Sequence, residues 1–196
     1  GCQNWEISHD APDELGEKME RLDPAESARL AKQRGCEGIC WTYNEPAIWL
    51  EHTLEAMAEA RKLGLYSAYI TNGYAGAEQM ELIGPFLDAW RVDIKGFSRE
   101  VYKKLTGVAR WEPVLETTEL AYREYGMHVE CVTNVTPTIN DDEKTARGIA
   151  GWIRDRLSPL TPWHVTRFHP SRDLSNLPVT PVATLERFCE IGREEG

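Results

Sequence analysis

Short β-prone runs alternate with helix-forming stretches along almost the whole chain, and this alternation limits the fold more than any other feature. The runs are Gly38-Ile39-Cys40-Trp41-Thr42-Tyr43, Ser67-Ala68-Tyr69-Ile70, Ala89-Trp90-Arg91-Val92-Asp93-Ile94, His128-Val129-Glu130-Cys131-Val132-Thr133 and Trp163-His164-Val165-Thr166-Arg167-Phe168. Helical stretches lie near 46–64, 76–87, 98–106, 113–126, 142–157 and 181–194. An earlier helix over Pro24–Gly35 has proline at its start and glycine at its end. Strands separated by helices pair in parallel, because the crossover returns the chain to the same edge before the next strand begins. The pattern predicts an α/β fold with one parallel sheet. No Gly-, Ser- or Pro-rich linker divides the 196 residues, so a single domain is expected over 1–196.

Composition narrows the functional classes. The net charge of -10 is spread rather than blocked, which argues against nucleic acid or an anionic membrane as partner, since both select basic patches. No apolar stretch approaches the roughly 18 residues of a membrane span, and no secretory signal pattern occurs, so a cytoplasmic location is expected. The cysteines number five. Cys40, Cys131 and Cys189 sit within apolar segments, which suggests reduced thiols serving as core residues or metal ligands. The chain opens Gly1-Cys2-Gln3-Asn4-Trp5, a soft ligand, two amides and an aromatic that read like the interior of a site; the sequence is therefore expected to be a fragment.

Each strand runs at its C-terminal end into polar or backbone-special residues. These are Tyr43-Asn44-Glu45-Pro46, Thr71-Asn72-Gly73-Tyr74, Asp93-Ile94-Lys95-Gly96, Asn134-Val135-Thr136-Pro137 and Arg167-Phe168-His169-Pro170. One such cluster is an ordinary turn, but in a parallel α/β fold all five fall on one rim, where sites are built. Nucleophilic and phosphate-loop chemistries find no support: there is no Gly-x-Ser-x-Gly elbow, no Gly-x-Gly-x-x-Gly and no Gly-x-x-x-x-Gly-Lys-Ser/Thr. The spacing of Cys36 and Cys40 suits an iron-sulfur loop, yet Cys36 follows a helix end and Cys40 lies inside a strand, so Cys40 reads as core. His164, mid-strand, reads as a hydrogen-bonded core histidine. Lys95 could serve a Schiff-base lyase, although Asp93 two residues away works against a neutral amine.

Taken together, the rim clusters resemble the radical SAM superfamily, and within it the pyruvate formate-lyase activating enzyme-like group, most nearly the radical SAM enzymes of AmmeMemoRadiSam systems. Carrying stretches are Cys2-Gln3-Asn4-Trp5-Glu6-Ile7-Ser8, Thr42-Tyr43-Asn44-Glu45-Pro46, Ile70-Thr71-Asn72-Gly73-Tyr74, Val92-Asp93-Ile94-Lys95-Gly96-Phe97, Thr161 through Pro170, and Thr180 through Glu186. The resemblance implies a partial (β/α)6 barrel with strands two to six present and strand one missing. It also implies a [4Fe-4S] cluster whose open iron chelates S-adenosylmethionine, and reductive cleavage to a 5'-deoxyadenosyl radical that abstracts hydrogen.

Position by position, the resemblance aligns Cys2 with the third cysteine of Cys-x-x-x-Cys-x-x-Cys. It places Asn44, Glu45 and Pro46 where relatives have Gly-Gly-Glu, at the methionyl amino group. Thr71 and Asn72 fall near the methionyl end, Asp93 and Lys95 at the ribose and carboxylate, Asn134 along the adenosine and His169 near the ribose or adenine. A plain rim salt bridge is the alternative for Asp93 and Lys95. One departure is Pro137-Thr138-Ile139-Asn140-Asp141, which lacks the glycine that relatives often place after the proline. With Cys2 as the one matched ligand, this length of chain is expected not to hold an intact cluster. A reductant such as flavodoxin or ferredoxin is the implied partner, and the substrate is open, with a protein among the candidates. Two other functions stand beside this one: a glycyl-radical enzyme activating enzyme, and a non-catalytic ligand-binding barrel.

Overall fold

The computed structural model describes residues 22–196, so Cys2 lies outside the described residues. Helix α1 (Pro24–Gln33) starts where Asp23 accepts hydrogen bonds from the amides of Ala25 (2.9 Å) and Glu26 (3.4 Å), with Pro24 in the first turn. It ends before Gly35, whose φ of 73° is a left-handed conformation that glycine adopts without steric cost. The chain continues through β1 (Gly38–Trp41), a 3-10 turn (Pro46–Trp49) leading into α2 (Leu50–Lys62), β2 (Tyr66–Thr71), α3 (Ala77–Ile83) and β3 (Ala89–Asp93). Two helices, α4 (Arg99–Thr106) and α5 (Glu112–Arg123), precede β4 (His128–Val135). Helix α6 (Glu143–Trp152) runs into a π turn (Ile153–Leu157), followed by β5 (Trp163–Arg167) and α7 (Val182–Glu195).

The five strands form one parallel sheet in the order β1-β2-β3-β4-β5. Its helix-facing side takes every second residue. Tyr69, Trp90, Val92, Val129, Cys131 and Val135 are buried there against Met57 of α2, Met80 of α3, Val114 of α5, Ile149 of α6 and Phe188 of α7. Full burial of each large apolar side chain stabilises by about 1.5–3 kcal/mol, so this layer supplies the main driving force. Polar atoms inside it are matched: the Tyr69 hydroxyl pairs with Thr53, and Trp90 Nε1 donates to Thr118 Oγ1 at 3.3 Å. Desolvation pushes the Cys131 thiol up to about 12, so Cys131 is an inert core residue.

The other side of the sheet is built differently. Cys40, Ala68, Ala89 and His128 share one rung, Ile70, Arg91 and Glu130 the next, and Asp93, Val132 and His164 the one above. Apart from Val132 these side chains remain exposed or half-buried. Two expectations change accordingly. Cys40 is exposed, because strand alternation turns Trp41 into the core and Cys40 to the opposite face. His164 is hydrogen-bonded as expected but is a partly exposed residue of that open face, not a core histidine. Cys189 is exposed as well, since α7 buries Phe188 and Ile191 and turns its neighbour outward.

The Pro137-Thr138 segment forms a tight turn. Ile139 N donates to Thr136 O at 3.2 Å, closing a tight turn with proline second and Thr138 third. Thr138 has a φ of 65°, which sets a β-branched residue in a left-handed well at a cost of roughly 1–2 kcal/mol. Thr138→Gly is therefore expected to raise stability by about 1 kcal/mol after glycine's own entropic cost, a Tm increase of about 2–4 °C. Thermal unfolding of the two proteins checks this; an unchanged or lower Tm would show that the turn is unstrained.

Candidate functional site

The site is assembled where the sheet's hydrogen-bond ladder runs out. Past β1 the chain turns through Tyr43, whose φ is 72°, and Asn44 Oδ1 accepts the Glu45 amide at 3.0 Å. Glu45 then caps the 3-10 turn, its Oε1 accepting from Ala47 N at 3.3 Å, with Pro46 buried as the first residue of that turn. The same carboxylate reaches across to the end of β2. Oε1 accepts from Thr71 Oγ1 at 2.6 Å, and Oε2 from Asn72 N at 2.7 Å. An ionised carboxylate offers about four acceptor positions. Three are occupied, none by a cation among the described residues, which leaves a fixed negative charge with room for one more donor.

Thr71, itself buried, also accepts the amide of Gly73 at 3.0 Å. Gly73 has a φ of 81°, and a Cβ there would lie 2.7 Å from Val114 Cγ1 and 2.8 Å from Val92 Cγ2. Only glycine fits this position, which presses the rim backbone against the core. Asn72 is exposed and spends its Oδ1 on Tyr74 N at 2.9 Å.

Just past the end of β3, Lys95 Nζ lies 2.5 Å from Asp93 Oδ2. Thr71 pairs in register with Val92, so Asp93 is one residue beyond the rung that Glu45 grips. The ion pair engages the lysine amine, which works against the Schiff-base alternative. Asn134 at the end of β4 donates from Nδ2 to Thr166 Oγ1 on β5 at 3.2 Å. His169 is exposed beyond β5, and no hydrogen bond joins it to the other candidates among the described residues. The structure thus joins Asn44, Glu45, Pro46, Thr71 and Asn72 in one constellation, sets Asp93–Lys95 beside it, and leaves Asn134 and His169 in separate contacts.

Two positioning residues escaped the sequence reading. Asn140, fully buried, accepts from Thr136 N at 2.6 Å and donates from Nδ2 to Lys95 O at 2.8 Å and Asn134 O at 3.1 Å. It ties the ends of β3 and β4 together. Thr180, also fully buried, donates to Val135 O at 2.6 Å and accepts from Phe168 N at 3.0 Å, tying β4 to β5. Their sequence settings mark only turns; nothing local shows that these side chains are buried or what they reach. A third feature had a visible signal. His128 and Glu130 alternate along β4 with His164 on β5, polar residues at period two where a doubly covered strand would be apolar. Glu130 receives His128 Nε2 at 3.2 Å and His164 Nε2 at 2.9 Å, with Arg91 Nε at 4.0 Å. Desolvation opposes its charge, but the two imidazole contacts outweigh it and hold the carboxyl below its usual value. Among the described residues no three His, Cys, Asp or Glu side chains are placed to hold a metal ion, and the Cys2 reading falls outside them.

The sequence model of the Radical SAM superfamily matches residues 1–150. The chain belongs to that superfamily. It is 38% identical over 195 residues to an uncharacterized protein of Methanocaldococcus jannaschii, covering 100% of this chain and 56% of that one. It is 31% identical over 147 residues to the isethionate sulfite-lyase activating enzyme of Nitratidesulfovibrio vulgaris, covering 74% of this chain and 48% of the relative. The chain therefore spans about half the length of the curated relatives it matches. The fold is also that of a solved domain of the pyruvate-formate lyase-activating enzyme from Bacteroides vulgatus, with a TM-score of 0.64 at 17% identity over 81% of this chain and 94% of that one. Strands β1–β5 with their helices form a partial radical SAM barrel.

Asn140→Ala would leave two carbonyls and one amide at the rim without their partner, at about 1–3 kcal/mol per buried unsatisfied group. We expect a loss of about 2–4 kcal/mol in urea unfolding and faster hydrogen exchange at the Thr136 amide. A loss under about 1 kcal/mol would mean that Asn140 does not hold the two strand ends together.

Proposed function

We propose that the intact protein is a radical SAM enzyme of the AmmeMemoRadiSam type, an oxidoreductase whose substrate is open. The single observation that supports this most is the Glu45 carboxylate, gripped by Thr71 and Asn72 with one acceptor position free, beside the Asp93–Lys95 pair, in a chain of this superfamily. The donor set suits S-adenosylmethionine. A fixed carboxylate matches the methionyl ammonium, a lysine with spare donors matches the methionyl carboxylate, and Asp93 has an oxygen left for ribose hydroxyls. Asn134 and His169 complete the adenosine side in this reading, and Cys2 is one of three thiolate ligands of a [4Fe-4S] cluster. When bound, the cluster and S-adenosylmethionine together supply a 5'-deoxyadenosyl radical that takes a hydrogen atom from the substrate.

The chain's own residues orient and hold. Glu45 is fixed before any ligand arrives, so little conformational entropy is lost on binding. Gly73 brings the rim backbone close, and the Asn140 and Thr180 ties keep the strand ends from shifting. A reductant such as flavodoxin or ferredoxin would deliver the electron in the cytoplasm. A second reading, a glycyl-radical enzyme activating enzyme acting on a protein, is favoured by the 31% identity to an isethionate sulfite-lyase activating enzyme. A non-catalytic ligand-binding barrel would keep the rim but produce no radical.

Anaerobic incubation of the reconstituted intact protein with S-adenosylmethionine and dithionite tests the proposal. Production of 5'-deoxyadenosine is expected, with loss of both product and cluster in Cys2→Ser and neither lost in Cys36→Ser or Cys40→Ser. Cluster loss in the Cys36 and Cys40 variants with Cys2→Ser intact would overturn the assignment; an intact cluster without product would favour the binding barrel. Glu45→Gln and Lys95→Ala are each expected to weaken S-adenosylmethionine binding roughly tenfold to a hundredfold with the cluster still assembled, the worth of one charge-assisted contact. Unchanged affinity by titration would remove those two residues from the site.

A further inference from the structure

Beyond the last rung of β3 the Ile94 amide donates to Val132 O at 2.8 Å, and the Ile94 carbonyl accepts from Thr133 Oγ1 at 3.0 Å. Lys95 supplies the next backbone amide, and Tyr102 of α4 takes it, the hydroxyl oxygen accepting from Lys95 N at 3.2 Å. Helix α4 reaches this point because Ser98 Oγ caps it, accepting from Val101 N at 3.3 Å, and because Gly96 has no side chain to collide with Val101. Tyr102 is fully buried, its ring 6.3 Å from that of Trp111 between centroids. Burial above all pushes its hydroxyl's pKa up, so it stays a neutral partner. On the other side of the same residue, Lys95 O accepts from Asn140 Nδ2 at 2.8 Å. Both backbone polar groups of Lys95 are thus held by buried side chains from two different segments. Its ammonium, by contrast, is partly exposed at the rim and paired, among the described residues, with Asp93 alone.

We propose that Tyr102 is a positioning residue for Lys95, its hydroxyl fixing the backbone from which the lysine ammonium meets the carboxylate of S-adenosylmethionine; the inference rests on the reading of the rim as the S-adenosylmethionine site. Lysine carries a point charge on a flexible four-carbon stem, so the place of its anchor decides where the charge can reach. With Lys95 N and O both held, a binding ligand has to order the stem alone and not the loop as well. The hydroxyl is what matters here, beyond the ring. Without it a buried amide loses its partner, and the chain from Lys95 to Ser98 has to shift to find another. Tyr102 therefore acts through Lys95 and not on the ligand itself.

The test is a double-mutant cycle in the intact, cluster-loaded protein, with S-adenosylmethionine affinity as the readout. Tyr102→Phe keeps the ring in its packing and removes the hydroxyl. It is expected to weaken binding roughly threefold to tenfold, the worth of one neutral hydrogen bond, and to cause no loss in a Lys95→Ala background, where no ammonium remains to be aimed. A packing defect would instead lower affinity by the same factor in both backgrounds. That result, or unchanged affinity in Tyr102→Phe alone, would overturn the inference. Hydrogen exchange gives a second measurement without ligand: the Lys95 amide is expected to exchange roughly tenfold faster in Tyr102→Phe while the amides of α4 keep their rates. Uniform acceleration across α4, or no change at Lys95, would count against it equally. Unchanged affinity in Lys95→Ala would sink the rim reading and this inference together, whereas a loss in Lys95→Ala without one in Tyr102→Phe would sink this inference alone.

Discussion

All five strands point the same way, so the hydrogen-bond ladder ends along one line and every backbone group just past it needs another partner. A buried amide or carbonyl left unmatched costs about as much as a lost hydrogen bond. Four side chains answer this demand. Glu45 takes the amide of Asn72, Thr71 that of Gly73, Asn140 serves Thr136, Asn134 and Lys95, and Thr180 serves Val135 and Phe168. The requirement to finish a parallel sheet and the requirement to hold a rigid site are met by the same residues. What remains in excess at the rim, an acceptor position on Glu45, an oxygen of Asp93 and the spare donors of Lys95, is what a charged ligand can use.

The two sides of the sheet are built differently. The helix-facing side is apolar and closed, with its few polar atoms paired inside the core. The opposite side alternates small residues with Arg91, Glu130, His128 and His164 and stays half-open. Because strand residues alternate strictly, a change on the open side does not touch the helix contacts. Residues there can therefore vary at little cost to the core.

That separation also explains what kinship does and does not convey. The likeness to activating enzymes extends over 147 residues in sequence and over 81% of the chain in fold. The chain spans about half the length of those curated relatives, so kinship conveys the fold and the superfamily and not the substrate. Members of one superfamily can thus agree at the rim and differ in what they act on.

The strand and helix pattern, the parallel direction and the clustering of polar residues at strand ends were legible in the sequence, because period and punctuation are local properties. So was the plain Asp93–Lys95 ion pair weighed as one alternative. The positioning roles of Asn140 and Thr180 were not. A buried asparagine or threonine tying two strand ends has the same neighbours in sequence as one in an exposed turn. Cys40 and His164 were misplaced for a related reason: an apolar run does not say which of its alternate residues meets helices and which meets an open face. At Thr138 the sequence left the loop's path open, and the turn closed between Thr136 and Ile139 is what the structure adds. The sequence determined which elements form and in what order. Only the tertiary structure decided which polar atoms are left over once the ends of the sheet have been satisfied, because that balance is struck between residues distant along the chain.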